Sequence, residues 1–230
     1  MTRPERRAGA GLYRLLAWLS PGFPTGAFSY SHGLEAAAAA GAVYDRANLE
    51  AWVAAIVRSG GGRIDADILR AAYRAAAAGD LDALTRANAR GVAYRPTAEL
   101  ALEAAQQGAA FLAACRAAWP DAVLAGWRPE DGACHSAVFG AAAARAAIGL
   151  GDALTGYLQA FAANLIAVGL RLGLVGQTDG QRILASLEPV IAGAAAAALR
   201  REGSDFGAAT FAADLMSIAH ETQYSRLFRS

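Results

Sequence analysis

Ser29, Ser31, His32 and Glu35 fall within seven residues of one another, in the stretch WLSPGFPTGAFSYSHGLE from Trp18 to Glu35. Three chemistries are open to them. Nucleophilic hydrolysis on a G-x-S-x-G turn needs a glycine two residues to each side of the serine. Ser31 has Gly33 after it but Ser29 before it, and Ser29 has neither. On a helix, adjacent Ser31 and His32 would also diverge by roughly 100°, the wrong geometry for a serine–histidine pair. Metal binding is the second. His32 and Glu35 stand at i, i+3, where they could share a helix face and hold a borderline metal weakly. His135 and His220 have no ligand pattern beside them, and Cys134-His135 is one pair, so a tight site would need residues from another chain. The third is shape. Pro21 and Pro24 fix two φ angles while Gly22 and Gly26 free two others, which makes a bend between helices with Thr25 as cap. Phe23, Phe28 and Tyr30 offer rigid aromatic surface there, suited to a core or a partner. The motif failures favour the geometric reading over the catalytic one.

The elements that must position this corner are helices. Helical signals cover Leu12 to Leu19, then Gly26 to Gly41, and then a helix capped by Asp45 that stops at Gly60-Gly61-Gly62. Asp65 and Asp80 can each start another. Thr97 and Glu99 open a long one after Pro96, and Pro120 ends it. Residues 121 to 133 read as a loop, and helix resumes near His135. Leu154, Leu158, Phe161, Leu165, Val168 and Leu172 recur at alternating steps of four and three, one face of a central helix. Thr178 or Asp179 starts the next helix, Pro189 kinks it, and a last helix runs from about Phe206 to His220. No segment alternates apolar and polar residues for long, so the expected fold is all-α, about ten helices in one domain over 1–230.

Composition narrows the function classes. A chain of 230 residues can bury roughly 70% of its unfolded surface without a disulfide or metal. A net charge of +1 argues against nucleic-acid binding through a basic field. All 21 basic residues are arginine, which excludes a P-loop lysine and a lysine Schiff base. Cys115 and Cys134 form no CxxC pair, and a reducing compartment is expected. The amino-terminal stretch lacks the apolar run of a signal peptide. The uncharged stretch Ala153 to Leu170 carries Thr155, Gln159 and Asn164 and reads as a core helix, so no membrane partner is expected.

Four segments carry a resemblance: LLAWLSPGFPTGAFSYSHGLE (Leu15 to Glu35), HSAVFGAAAARAAIGL (His135 to Leu150), YLQAFAANLIAVGLRLGLVGQTDGQRILASL (Tyr157 to Leu187) and SIAHETQYSRLFRS (Ser217 to Ser230). In this order they resemble the motifs of the urease accessory protein F (UreF) family. The resemblance implies an all-α scaffold in urease maturation, with no enzyme activity, cofactor or metal of its own. It implies a cytoplasmic protein that pairs as a homodimer, binds accessory protein D (H in some species) and recruits the GTPase accessory protein G. That assembly delivers nickel to apo-urease. The family's partner-binding positions carry over to Phe23, Pro24, Gly26, Ser29, Tyr30, His32, Glu35, Arg171, Gln177, Tyr224, Arg226, Leu227 and Arg229.

A helical enzyme using Ser29, Ser31, His32 and Glu35 is the alternative. Such an enzyme stays soluble alone and turns over a substrate, whereas an assembly factor made alone self-associates through apolar partner surfaces. Arg171, at the end of the central helix, either caps that helix or faces protein G or a second copy. The stretch 221–230 reads as a partner-binding tail. Tyr224, Leu227 and Phe228 among arginines are anchor types. The tail either docks back on its own chain or, the favoured expectation, orders against accessory protein D. In the latter case its removal barely changes the melting temperature.

Overall fold

A computed structural model describes residues 3–130, 132–203 and 205–230, with backbone only for 3–8. The sequence readings at Met1, Thr2, Asp131 and Ser204 lie outside these. The described residues form twelve α-helices and a 3₁₀ turn, with no strand. The helices are α1 (Arg3–Trp18), α2 (Leu34–Ala39), α3 (Arg46–Ser59), α4 (Gly61–Ala78), α5 (Leu81–Ala93) and α6 (Ala98–Ala118). They continue with α7 (Ala122–Gly126), α8 (His135–Arg145), α9 (Leu150–Arg171), α10 (Gln177–Ser186), α11 (Glu188–Arg200) and α12 (Phe211–Glu221).

Several boundaries follow local chemistry. Asp45 accepts the Asn48 amide at 2.8 Å and Asp80 the Ala83 amide at 2.8 Å, so both cap as their sequence implies. Thr97 does the same for Leu100 at 3.2 Å. Pro189 stands in the first turn of α11, which bends 41° from α10.

Other boundaries differ from the sequence reading. The helix expected from Gly26 to Gly41 is broken: Ala27–Ser29 makes one 3₁₀ turn and α2 begins only at Leu34. His32 (φ 55°) and Gly33 (φ 77°) are left-handed, a conformation no helix continues through. Asp65 lies inside α4, which starts at Gly61 directly after the single break at Gly60. The loop after Pro120 contains α7, capped by Asp121, and the last helix starts at Phe211, not Phe206.

The chain separates into two compact units, with α4, α6 and α9 contributing residues to both. Unit 1 takes the residues up to Gly26, Asp65–Tyr94 and Ala104–Tyr157. Trp18 lies at its centre, edge-on to Phe111 and Trp119 at 5.8 Å and to Phe139 at 6.4 Å. α8 packs against α5 and comes so close to α4 that a Cβ on Gly140 would meet the Leu69 carbonyl at 2.3 Å. Buried Asn88 ties the loop before α8, donating to the Gly132 carbonyl at 2.7 Å and accepting the Cys134 amide at 2.8 Å.

Unit 2 takes Ala27–Ile64, Arg95–Glu103 and Leu158–Ser230. In it α3 packs on α10 and α11, and α2 on α12. The α9 stripe is buried at Leu158, Leu165 and Val168, as Leu154 is in unit 1.

Candidate functional site

The chemistry-bearing residues of the opening stretch meet distant partners in unit 2, and together they hold the segment Tyr224–Ser230. Glu35, in the first turn of α2, is 7% exposed and has both carboxylate oxygens engaged. Oε1 accepts the Leu227 amide at 2.7 Å; Oε2 accepts the Phe228 amide at 3.0 Å and lies 3.0 Å from His220 Nε2. The other ring nitrogen, His220 Nδ1, lies 2.7 Å from Glu99 Oε2. Glu99 Oε1 accepts from Arg226 Nη1 at 2.8 Å. Each ring nitrogen of His220 therefore faces a carboxyl oxygen, one on Glu35 and one on Glu99. The row Glu35–His220–Glu99–Arg226 gives each buried carboxyl group hydrogen-bonding partners, as burial of such groups requires.

A second row runs beside it. Ser230 Oγ donates to Glu103 Oε2 at 2.9 Å, and His32 Nδ1 is 3.5 Å from the same oxygen. The His32 ring stands edge-on to Phe161 at 5.3 Å. The main-chain oxygen of Ser230 accepts the Ser31 amide at 2.7 Å and also the Ser31 hydroxyl. The Arg229 amide donates to the Ser29 carbonyl at 2.8 Å. Phe228 is buried with the Arg171 guanidinium 4.3 Å from its ring centre, and Arg171 also donates to the Phe28 carbonyl. Burial pulls the Arg171 pKa down. Burial likewise pushes the Tyr30 phenol up, against the lowering effect of Arg229. Asp214 is raised by burial, with His32 opposing.

α12 is held to this scaffold by its inner face. Ser217 and Thr97 hydroxyls are 2.8 Å apart, and Glu221 accepts the Ala98 amide at 3.1 Å. A Cβ on Gly33 would stand 2.8 Å from the Ser217 nitrogen, so the helix approach and the positive φ both require glycine there. Its outer face carries Phe211, Leu215 and Ile218, all more than half exposed, and Tyr224 and Leu227 are exposed beyond it.

The sequence-selected residues divide accordingly. Ser29, Tyr30, His32, Glu35, Arg171, Arg226, Leu227 and Arg229 come together in unit 2, and Tyr224, in the same segment, is fully exposed. Gln177 is exposed at the first position of α10, apart from the cluster. Phe23 belongs to unit 1, packed 5.0 Å from Phe111; Pro24 is exposed and Gly26 takes φ 73°.

The supposed His32–Glu35 pair does not share a helix face, because His32 lies in the left-handed turn before α2; each binds a different partner. The Ser31 hydroxyl is committed to Ser230. Among the described residues no three His, Cys, Asp or Glu side chains are placed to hold a metal. The tail expected to stay free of its own chain is docked on unit 2. Sequence reasoning missed His220, Glu99, Glu103 and Ser230, because the hydrogen bonds that use them span 121 to 199 positions. One signal was present: Ala213, Ser217 and His220 recur at four and three, a small and polar stripe on the inner face of an otherwise apolar helix.

Comparisons with known proteins bear on this site. The UreF family model matches residues 43–188. A urease accessory protein UreF of Azorhizobium caulinodans is 48% identical over 233 residues, covering 100% of both chains. That of Granulibacter bethesdensis is 47% identical, covering 96% of this chain and 94% of its own. That of a Methylobacterium species is 45% identical, covering 94% and 87%. With helices throughout and identity close to one half along its whole length, the chain belongs to the UreF family.

Proposed function

We propose that the protein is a non-catalytic urease maturation factor. In this reading it scaffolds accessory proteins D (or H) and G in the cytoplasm, pairs as a homodimer, and modulates the GTPase that drives nickel insertion into apo-urease. The observation that carries the reading is full-length identity to proteins named urease accessory protein UreF. The exposed row Phe211, Leu215 and Ile218, with Tyr224 and Leu227 beyond it, supports a partner surface, since large apolar side chains grouped on one helix face are costly to leave in water. Of the thirteen carried-over positions, buried Tyr30, His32 and Glu35 act by holding the tail. Exposed Tyr224 and Leu227 meet the partner, accessory protein D. The occupied Ser31 hydroxyl weighs against the hydrolase alternative.

Co-purification tests the reading. The full chain is expected to retain accessory proteins D and G, and a Tyr224→Ser, Leu227→Ser double variant to lose D. Wild-type yield of D with that variant refutes the tail's role. Failure of the unaltered chain to retain either protein refutes the scaffold.

A further inference from the structure

We infer that Glu35 is a positioning residue: its carboxylate fixes the register of the segment Tyr224–Ser230 and so decides which side chains of that segment face outward. The inference rests on the reading that the outward side chains meet a partner.

From Leu227 to Ser230 the burial alternates. Leu227 is 66% exposed, Phe228 4%, Arg229 exposed and Ser230 fully buried. A slip of one residue inverts such a pattern. Leu227 would then take the place of Phe228 beneath Arg171, and Phe228 would turn into water. Two side-chain contacts share this register: Arg226 with Glu99 and Ser230 with Glu103. The main-chain bonds at Ser29 and Ser31 accept any residue, whereas the Arg171 guanidinium favours an aromatic ring. In the main chain the register is marked where two successive amides, Leu227 and Phe228, converge on one acceptor. Successive N–H groups point the same way only at a bend, where they form a nest for an anion. Glu35 supplies that anion, and it is itself immobilised. Its own amide donates to Ser31 Oγ at 3.3 Å, and His220 holds Oε2 from the far side.

Glutamine cannot replace it. An amide has one acceptor oxygen where the Leu227 and Phe228 amides each need one, so its NH₂ would confront a donor. Tyr224 and Leu227 are thus presented by a residue that itself stays out of reach of a partner.

The test is amide hydrogen exchange on the full chain, paired with capture of accessory protein D. With Glu35→Gln, protection at the Leu227 and Phe228 amides should fall by about tenfold to a hundredfold, as losing charge-assisted hydrogen bonds implies. Amides in α3 and α9 should keep theirs, and capture of D should fall with the tail. Wild-type protection at Leu227 and Phe228 in Glu35→Gln overturns the positioning role. If that variant does not fold, Glu35→Asp, which keeps the charge but withdraws it by one methylene, is read by the same criterion. The Tyr224→Ser, Leu227→Ser variant separates the two claims. It should keep amide protection and lose D; full capture of D by it overturns the partner reading without touching the register.

Discussion

His220 Nε2 lies 3.0 Å from Glu35 Oε2, joining residues 185 positions apart, with the opposite ring nitrogen on Glu99. Replacing His220 by leucine leaves two buried carboxyl groups without the hydrogen-bonding ring between them. Breaking a buried pair in this way costs about 3–5 kcal/mol. His220→Leu should lower the denaturation midpoint accordingly, and adding Glu99→Gln should recover part of the loss. No recovery would mean that packing, not hydrogen bonding, is the role of His220.

Removing Tyr224–Ser230 should destabilise the isolated protein, contrary to what the sequence suggests for a free tail. Glu35 and Glu103 would lose donors and Phe228 would leave its site. A loss of roughly 2–4 kcal/mol corresponds to a fall in Tm on the order of 5–10 °C for a chain of this size. A calorimetric scan of truncated and full chains measures it; matching midpoints would refute the docking.

Arg171→Ala should leave helical content nearly intact, because its bond to its own helix is a single one to the Ala167 carbonyl at 3.3 Å in the last turn. Its guanidinium spans the Phe28 carbonyl and the Phe228 ring. The stacking contributes about 0.5–1 kcal/mol at such an exposed position. Faster proteolysis within 224–230 with unchanged circular dichroism is the expected outcome. A drop in helical signal would point to capping instead.

Cys115 is buried in α6, and burial pushes its thiol up to about 12. It should not react with a disulfide reagent in the folded protein at neutral pH and should react once denaturant unfolds the chain. Because the folded chain holds a proton that the unfolded chain releases above about pH 8.5, the stability Cys115 contributes is complete below that pH. It falls steadily as the pH rises toward about 12.

What was legible in the sequence was local. Asp45 and Asp80 cap helices because the amide each accepts lies three residues on, and the α9 stripe repeats within one turn. The break between Tyr30 and Leu34 was not legible. Gly33 is required there by Ser217, on a helix far along the chain, and His32 follows it into the left-handed region. The site escaped for the same reason: Glu35 looked like a partner for His32 three residues away, and its real partners are His220, Leu227 and Phe228.

The close approach of Gly33 to Ser217 also shortens the loop that the tail must close. Glu35 and Leu227 are separated by 192 positions, and closing so long a loop costs entropy before any bond repays it. Once α12 has seated against Gly33, His220 is in place and only six residues lie between it and Leu227. The tail then closes as a short local loop, a process that takes about 10–100 ns for a chain of this length. A side chain at position 33 is therefore expected to hinder the seating of α12, and with it the docking of the tail, without touching any residue of the tail.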